Sequence, residues 1–454
     1  MIAWWWAGCT PEPAADSGAT RSDTAIATGH TGAQPTATAW CEPTDNALRF
    51  ACGVTLIEPG PVEIRVTRVS DGGERRVSSP AAALEHALVL SMLAPGAEYD
   101  WTASPPGDPE TVFGSGRITA GEPPEGVRST LAVTGTSSVP YVGANNPCDP
   151  AGAVAVIHDT ATGELVWYHD FGAGTLGMVN MVRFTPAHTV LAQTGAAVID
   201  VDLAGTELAR FTDGVEYDLT LHHDLFARGG LYYLLFQESG SPVLDGFVVL
   251  DPAGAELARW RAEEHLIVPA DAFGDWMHTN TLWVDPDLQV TLSLHEQASV
   301  IRVDGDPDSP TFGELSWIVV GDPPAGLLSD LVIDWSGVDG ADLFLDQHDA
   351  HPLPDGRLVL LDNPHGRALV LSLDPEGGVA TADEAWEAEG TGFCGPQGTA
   401  EEAAPGHLFA ACSGLSVREW DRAAAEVVWT GSVVCETPVG LGSGVARFYP
   451  LDGW

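Results

Sequence analysis

The chain contains no lysine. All 19 of its basic residues are arginine, set against 64 aspartates and glutamates, for a formal charge of −45. That absence removes whole classes of chemistry. A phosphate-cradling P-loop needs its lysine, and pyridoxal-phosphate and other Schiff-base enzymes need a lysine amine. Long apolar runs are missing as well, since no stretch approaches the roughly 18 residues that a membrane-spanning helix requires. So acidic a surface repels nucleic acid and anionic lipid head groups, which leaves small soluble molecules as ligands. An anionic ligand would need a local basic pocket built against that field. Hydrophobic content is ordinary at 44%, and 454 residues suffice for two domains or one large repeat with a sizeable core.

Cysteine is also sparse. The seven residues divide into one plus six. The segment Met1-Ile2-Ala3-Trp4-Trp5-Trp6-Ala7-Gly8-Cys9 resembles a bacterial lipoprotein cleavage site, with Cys9 as the lipidated residue. Its apolar region is short and no positive residue precedes it, as a start codon placed too late would leave it. Residues 1–9 are therefore expected to be a signal remnant, and residues 10–40, rich in Thr, Ala, Gly, Ser, Pro and Asp, a flexible tether. The expected location is the cell envelope or periplasm. The other six cysteines are an even number suited to an oxidising compartment. Proximity in sequence favours Cys41–Cys52 and Cys394–Cys412, leaving Cys148–Cys435.

Residues 41–125 carry short alternating runs such as Val62-Glu63-Ile64-Arg65-Val66-Thr67-Arg68-Val69, separated by turn residues, which predict a small β-sandwich. Leu93-Ala94-Pro95-Gly96-Ala97-Glu98-Tyr99 looks like the tyrosine corner of fibronectin-type modules, with Tyr99 bonding back to the turn.

Residues 126–454 follow a repeat. Each unit has an apolar strand, an Asp, a short turn and a second strand ending in an aromatic: Val154 to Trp167, Ala197 to Phe211, Phe247 to Trp260, Val300 to Trp317, Ala368 to Trp386 and Leu415 to Trp429. The repeated Asp residues (Asp159, Asp202, Asp251, Asp304, Asp374 and Asp421) lie 43 to 70 positions apart, room for four strands per unit. An apolar strand pair cannot bury itself alone, so the fold predicted is all-β, a six-bladed β-propeller behind the sandwich. Val445-Ala446-Arg447-Phe448-Tyr449-Pro450 echoes Asn180-Met181-Val182-Arg183-Phe184-Thr185-Pro186, the first strand of a unit. It should complete the first blade, whose later strands lie near Leu131 to Trp167, and Cys148–Cys435 would staple that closure.

In a propeller the first strand of each blade lines the central channel. His222/His223, His278 and His348 all sit on that strand, in the third, fourth and fifth units. A lone histidine there is ordinarily a satisfied, half-buried side chain; three in register on consecutive blades point to a site. His30, His86, His158, His169, His188, His265, His365 and His407 fall on tether, turn, later-strand or loop positions and keep the ordinary reading. Converging imidazoles serve two chemistries: nucleophilic attack on an electrophilic sulfur or phosphorus, or coordination of a divalent metal with an open position for water. Spacing does not separate them, nor does it exclude a propeller that only binds a ligand or partner.

His223-Asp224, Asp275-Trp276-Met277-His278-Thr279-Asn280 and Gln347-His348-Asp349-Ala350, followed by Leu361-Asp362-Asn363 and Gly366-Arg367, resemble in order the motifs of bacterial arylsulfotransferases that work without a nucleotide sulfate donor. The resemblance runs from about residue 130 to 450. It implies a six-bladed propeller and a ping-pong transfer of a sulfuryl group from a phenolic sulfate ester to a phenol, with no cofactor and no metal. His348 would be the nucleophile, His278 and Asn280 would hold sulfuryl oxygens, and His223, in preference to His222, would bind the same group or serve the phenolic oxygen. Gln347 or Asp349 would fix the tautomer of His348, and Arg367 matches a motif arginine. One position departs. Where the family usually carries an arginine, this chain reads Leu294-His295-Glu296, putting His295 where a permanent charge and a bidentate fork are expected.

Overall fold

Runs of Val, Leu, Ile and aromatic residues cut by Gly, Pro and Asp turns become strands throughout. The computed structural model describes residues 37–454 except 149–152, 173–180, 195–196, 213–219, 323–328, 340–342, 389–393, 396, 437–444 and 446. Cys9 and the signal remnant lie outside the described residues. The strand Ala37–Pro43 begins inside the stretch expected as tether, because Trp40 packs on Gly53 and Cys41 is bridged to Cys52.

The N-terminal module is one curled sheet. Phe50–Arg68 pairs over its first half with Ala37–Pro43 and over its second half with Glu98–Ser104, while Glu74–Leu90 runs along both halves. The register breaks between Thr55 and Val62, where Pro59-Gly60-Pro61 bends the strand. The curl encloses Val54, Val62, Ile64, Leu90, Trp101 and Ile118. The Tyr99 hydroxyl accepts the N–H of Ala94 at 2.9 Å, the expected corner. This core continues into the next domain through Val142, Tyr168 and Trp429, and Arg68 grips Glu164 through two bonds of 2.7 and 2.8 Å.

The rest of the described chain is a β-propeller of six sheets, antiparallel throughout except for the edge strand Val332–Asp334, which adds in parallel to the fifth. Their innermost strands are Phe448–Leu451, Met181–Phe184, Thr220–Arg228, Thr279–Val284, His348–Pro352 and Gly398–Ala404 in sheets one to six. Each touches the next, and the last touches the first, so the ring is closed. The repeat seen in the sequence is the outer strand pair of each sheet. Its terminal aromatic has a mechanical role: the indole N–H of Trp167 bonds to Leu203 in the next sheet, that of Trp260 to Gly313, and that of Trp429 to Thr160 across the closure. All three tryptophans are fully buried, and truncating such a side chain costs about 3–5 kcal/mol.

Closure is double. Phe448–Leu451 pairs with Tyr141–Asn145 to complete the first sheet, as expected. The stretch around Leu131 is the correction. Ser129–Gly135 does not join the first sheet but pairs with Glu426–Cys435 as an extra edge strand of the sixth, which leaves Tyr141–Asp170 as the later strands of sheet one. All three expected disulfides form, and Cys148–Cys435 spans the two closing sheets.

The channel is plugged by charge. Arg183 in the second sheet and Arg447, which precedes the inner strand of the first, both reach the carboxylate of Asp224, at 2.7 and 2.9 Å, and Arg447 lies 3.4 Å from Asp349. None of these side chains is more than 3% exposed. The carboxylates also accept backbone N–H groups from neighbouring sheets, Asp224 from Leu282 and Asp349 from Ala400, each about 3 Å away. Two cations thus face two anions. Burial and the neighbouring Asp349 push the Glu401 carboxyl up to about 8. Removing one partner of such a network strands a buried charge at a cost of about 3–5 kcal/mol, whereas an exposed pair contributes about 0–1 kcal/mol. Arg447→Met should therefore lower the urea midpoint far more than Arg210→Met, which breaks the exposed pair with Glu207. Equal shifts would contradict a channel held by charge.

Candidate active site

The same local distortion recurs on three consecutive inner strands. Pairing slips between Leu221 and Leu225, between Thr279 and Thr281, and between His348 and His351. Each slip carries a non-glycine residue with a left-handed backbone: His223 at φ 54°, His278 at 49° and Asp349 at 54°, with Asp346 at 45° just before His348. Such bulges re-aim side chains and cost about 1–2 kcal/mol per left-handed residue. Here they turn imidazoles out of the sheets towards one mouth of the channel.

The rings form an unbroken arc. Centroids are 4.8 Å apart for His222 and His223, 4.6 Å for His223 and His278, 5.1 Å for His278 and His295, and 5.4 Å for His295 and His348. His295 lies between His278 and His348 on a short turn whose N–H bonds to the carbonyl of His278. Its Nδ1 lies 3.3 Å from Glu296 and its Nε2 3.9 Å from Asp346. His295 and His348 face a pocket of about 170 Å3 with Asp346, Asn363, Pro364, Cys394 and Gly395. No three His, Cys, Asp or Glu side chains among the described residues are gathered where they could share one metal ion.

The tautomer of His348 follows from its neighbours. Its Nδ1 lies 3.0 Å from both the Asp346 carbonyl and Asn363 Oδ1. The Asn363 amide nitrogen donates to the carbonyls of Gly395 and Gln397, so Oδ1 must be the atom presented to the ring. Nδ1 therefore carries the hydrogen, and Nε2 keeps a free lone pair. Burial, with the charge of His295 adding to it, lowers the pKa of His348 to about 3. The imidazole is neutral across the physiological range. Burial and the neighbours His222 and His278 hold His223 neutral in the same way, also to about 3. The Nδ1–H of His278 is backed at 2.6 Å by the carboxylate of Asp275.

Four expected contact residues are committed elsewhere. Gln347 is fully buried and its amide donates to Ser293, Leu294 and Ser299. Asp349 turns to Ala400 and Arg447, so neither residue fixes the His348 tautomer. Asp349 is the left-handed residue of the bulge, and Gln347 lies before the strand begins. Asn280 is buried with its amide on the Gln347 carbonyl. Arg367 pairs with Asp362, which also accepts His365 and the Leu345 N–H and so anchors the approach to His348. Sequence reasoning missed Asn363 as the orienting acceptor, and Asp245 and Asp275 behind the other histidines. Asn363 stood within a quoted motif, and Asp275 three residues before His278 was a usable signal; Asp245 gave none.

These assignments set one spectroscopic result. In 15N-labelled protein, His348 should show the Nδ1–H tautomer with an unprotonated Nε2, and should stay neutral at pH 5. Because the unfolded chain takes up the proton that the folded site refuses, this histidine removes stability as pH falls from about 6.5 towards 3 and has no effect on it above that window. A His348 titration near 6.5 would overturn the buried, locked ring.

A family model described as Arylsulfotransferase (ASST) matches residues 149–374. No curated protein matches the chain. Among solved structures, a protein of unknown function from Bacteroides caccae is 13% identical, covering 68% of this chain and 98% of its own, with a TM-score of 0.45. A streptogramin B lyase is 8% identical over 67% of this chain and 88% of its own, at 0.39. Virginiamycin B lyase from Staphylococcus aureus is 7% identical over 68% and 99%, at 0.36. At those values the structural likenesses say nothing about chemistry. The matched span holds the bulged strands of His223 and His278, the His295 turn and the His348–Asn363 pair, and over it the chain resembles the arylsulfotransferase family.

Proposed function

We propose that this protein is an arylsulfotransferase that moves a sulfuryl group from a phenolic sulfate ester to a phenol through a sulfohistidine at Nε2 of His348. The observation that carries the reading is the locked, neutral His348, whose Nδ1–H is held by Asn363 and Asp346 while the ring borders a pocket beside His295. A nucleophile needs that lone pair and must not be protonated. His278, backed by Asp275, and His295, flanked by Glu296 and Asp346, donate to the sulfuryl oxygens. Arg447 adds positive field from the plug, where it acts on His348. Asn280 supports this set from behind by holding the carbonyl of Gln347. A phenolate is a fair leaving group, so the site must chiefly position, neutralise charge and handle one proton.

The three disulfides support an exported protein, and lipidation at Cys9 belongs to the same proposal. Among the described residues no helix is long and apolar enough to cross a membrane. The partners proposed are small phenols and aryl sulfates.

Purified protein incubated with 4-nitrophenyl sulfate and excess phenol should release 4-nitrophenol and carry an acid-labile sulfuryl adduct on the peptide holding His348. His348→Ala should lose both. His295→Arg should raise kcat/KM about tenfold, equivalent to ~1.4 kcal/mol, by supplying a permanent fork for the sulfuryl oxygens. An unmodified His348 peptide under steady turnover would sink the reading.

A further inference from the structure

Two groups are left over by the nucleophile and its oxyanion donors: His222 at the end of the arc and Asp245 behind it. Asp245, whose side chain is 1% exposed, gives one oxygen to the N–H of Thr279 at 2.6 Å. Its other oxygen has no hydrogen bond and faces Nε2 of His222, likewise unbonded, at 3.4 Å. Burial opposes ionisation of Asp245, yet the interaction with His222 and the Thr279 N–H outweighs it and keeps the carboxyl below its ordinary range. An ionised carboxylate only accepts, so His222 turns Nε2–H towards it. On the other side, His222 Nδ1 and His223 Nδ1 are 2.6 Å apart, too close for anything but a shared hydrogen. His223 then has its Nε2 left, on the edge of the ring away from His222, and its ring meets His278 in the arc.

We infer that Asp245, His222 and His223 form a proton relay, in which His223 Nε2 exchanges a proton with the aryl oxygen while His222 and Asp245 hold the resulting charge. The inference rests on the sulfuryl-transfer reading above. In the first half-reaction His348 Nε2 forms a bond to sulfur and the sulfur–aryl oxygen bond breaks. Its electron pair stays on the oxygen, which takes a proton from the charged relay and leaves as a phenol. In the second half-reaction the acceptor phenol gives its proton to His223 Nε2 as its oxygen bonds sulfur, and the electron pair of the nitrogen–sulfur bond returns to His348. One proton leaves the relay and one returns, so it ends as it began. His223 is the group that meets substrate; His222 and Asp245 are positioning residues, as the carboxylate is in a serine-protease triad. The arrangement separates labour by backing: an amide and a carbonyl behind the nucleophile keep it neutral, and a carboxylate behind the relay lets it accept charge.

The test compares first-half rates for two donors. 4-Nitrophenyl sulfate expels a weakly basic oxygen that needs no proton, whereas phenyl sulfate expels a basic one that does. In Asp245→Asn, an amide towards His222 Nε2 reverses the tautomers of the pair, while a side-chain oxygen can still accept the Thr279 N–H. His348 sulfation by 4-nitrophenyl sulfate should change less than about threefold, but sulfation by phenyl sulfate, and turnover with phenol as acceptor, should fall at least ~100-fold. His222→Gln, with folding checked by its thermal midpoint, should reproduce that split. Equal losses with both donors, or none with either, in folded variants would overturn the relay. Absence of any His348 adduct in the unaltered protein would instead remove the sulfuryl-transfer reading on which it rests.

Discussion

The cluster of Arg183, Asp224, Arg447 and Asp349 is the constraint on which the ring depends. The two arginines and two aspartates come from sheets two, three, one and five, and the N–H groups that Asp224 and Asp349 accept belong to Leu282 in sheet four and Ala400 in sheet six. Every innermost strand is thereby tied to one buried set of charges. Apolar packing between neighbouring sheets is pairwise and tolerates small slips, but a buried carboxylate serving three donors from three sheets does not. The bulges above the plug are held in register from below, which is how four left-handed non-glycine backbones persist within a few strands of one another.

That geometry also resolves an electrostatic difficulty. A chain of net charge −45 is a poor host for a sulfate ester. The channel answers with internal pairing: arginines set against aspartates, and imidazoles each backed by its own polar group. Five histidines of one residue type thus have three different environments. Sequence position says little about which environment each receives, because Asn363, Asp275 and Asp245 lie 15, 3 and 23 residues from the rings they address.

What could be read in advance was whatever repeats or pairs over short range. The outer strand pairs, the tyrosine corner, the return of Phe448 to the first sheet and the disulfides follow from periodicity, from composition and from simple elimination. The echo between Val182-Arg183-Phe184 and Ala446-Arg447-Phe448 was visible, yet it was read as strand homology; its shared arginine is the plug. Gln347 and Asp349 were placed beside the imidazole because adjacency in sequence was taken for proximity, when the bulge at Asp349 sends its carboxylate to Ala400 and Arg447 and Gln347 turns to Ser293, Leu294 and Ser299. Asn280 needed knowledge of where Gln347 presents its carbonyl, a contact across 67 residues. The placement of Ser129–Gly135 needed the sixth sheet to be known first.

The double closure has a consequence in time. Arg447 and Phe448–Leu451 lie at the far end of the sequence, yet they supply a cation at the centre of the plug and the innermost strand of the first sheet. As a growing chain emerges, sheets two to six can collapse one after another, but Asp224 and Asp349 stay undercompensated until Arg447 appears. Contacts of such long sequence separation form late and slowly. The histidine arc, whose bulges depend on that plug, is therefore assembled only once Arg447 is in place. A nascent or truncated chain has the strands of an enzyme without its chemistry.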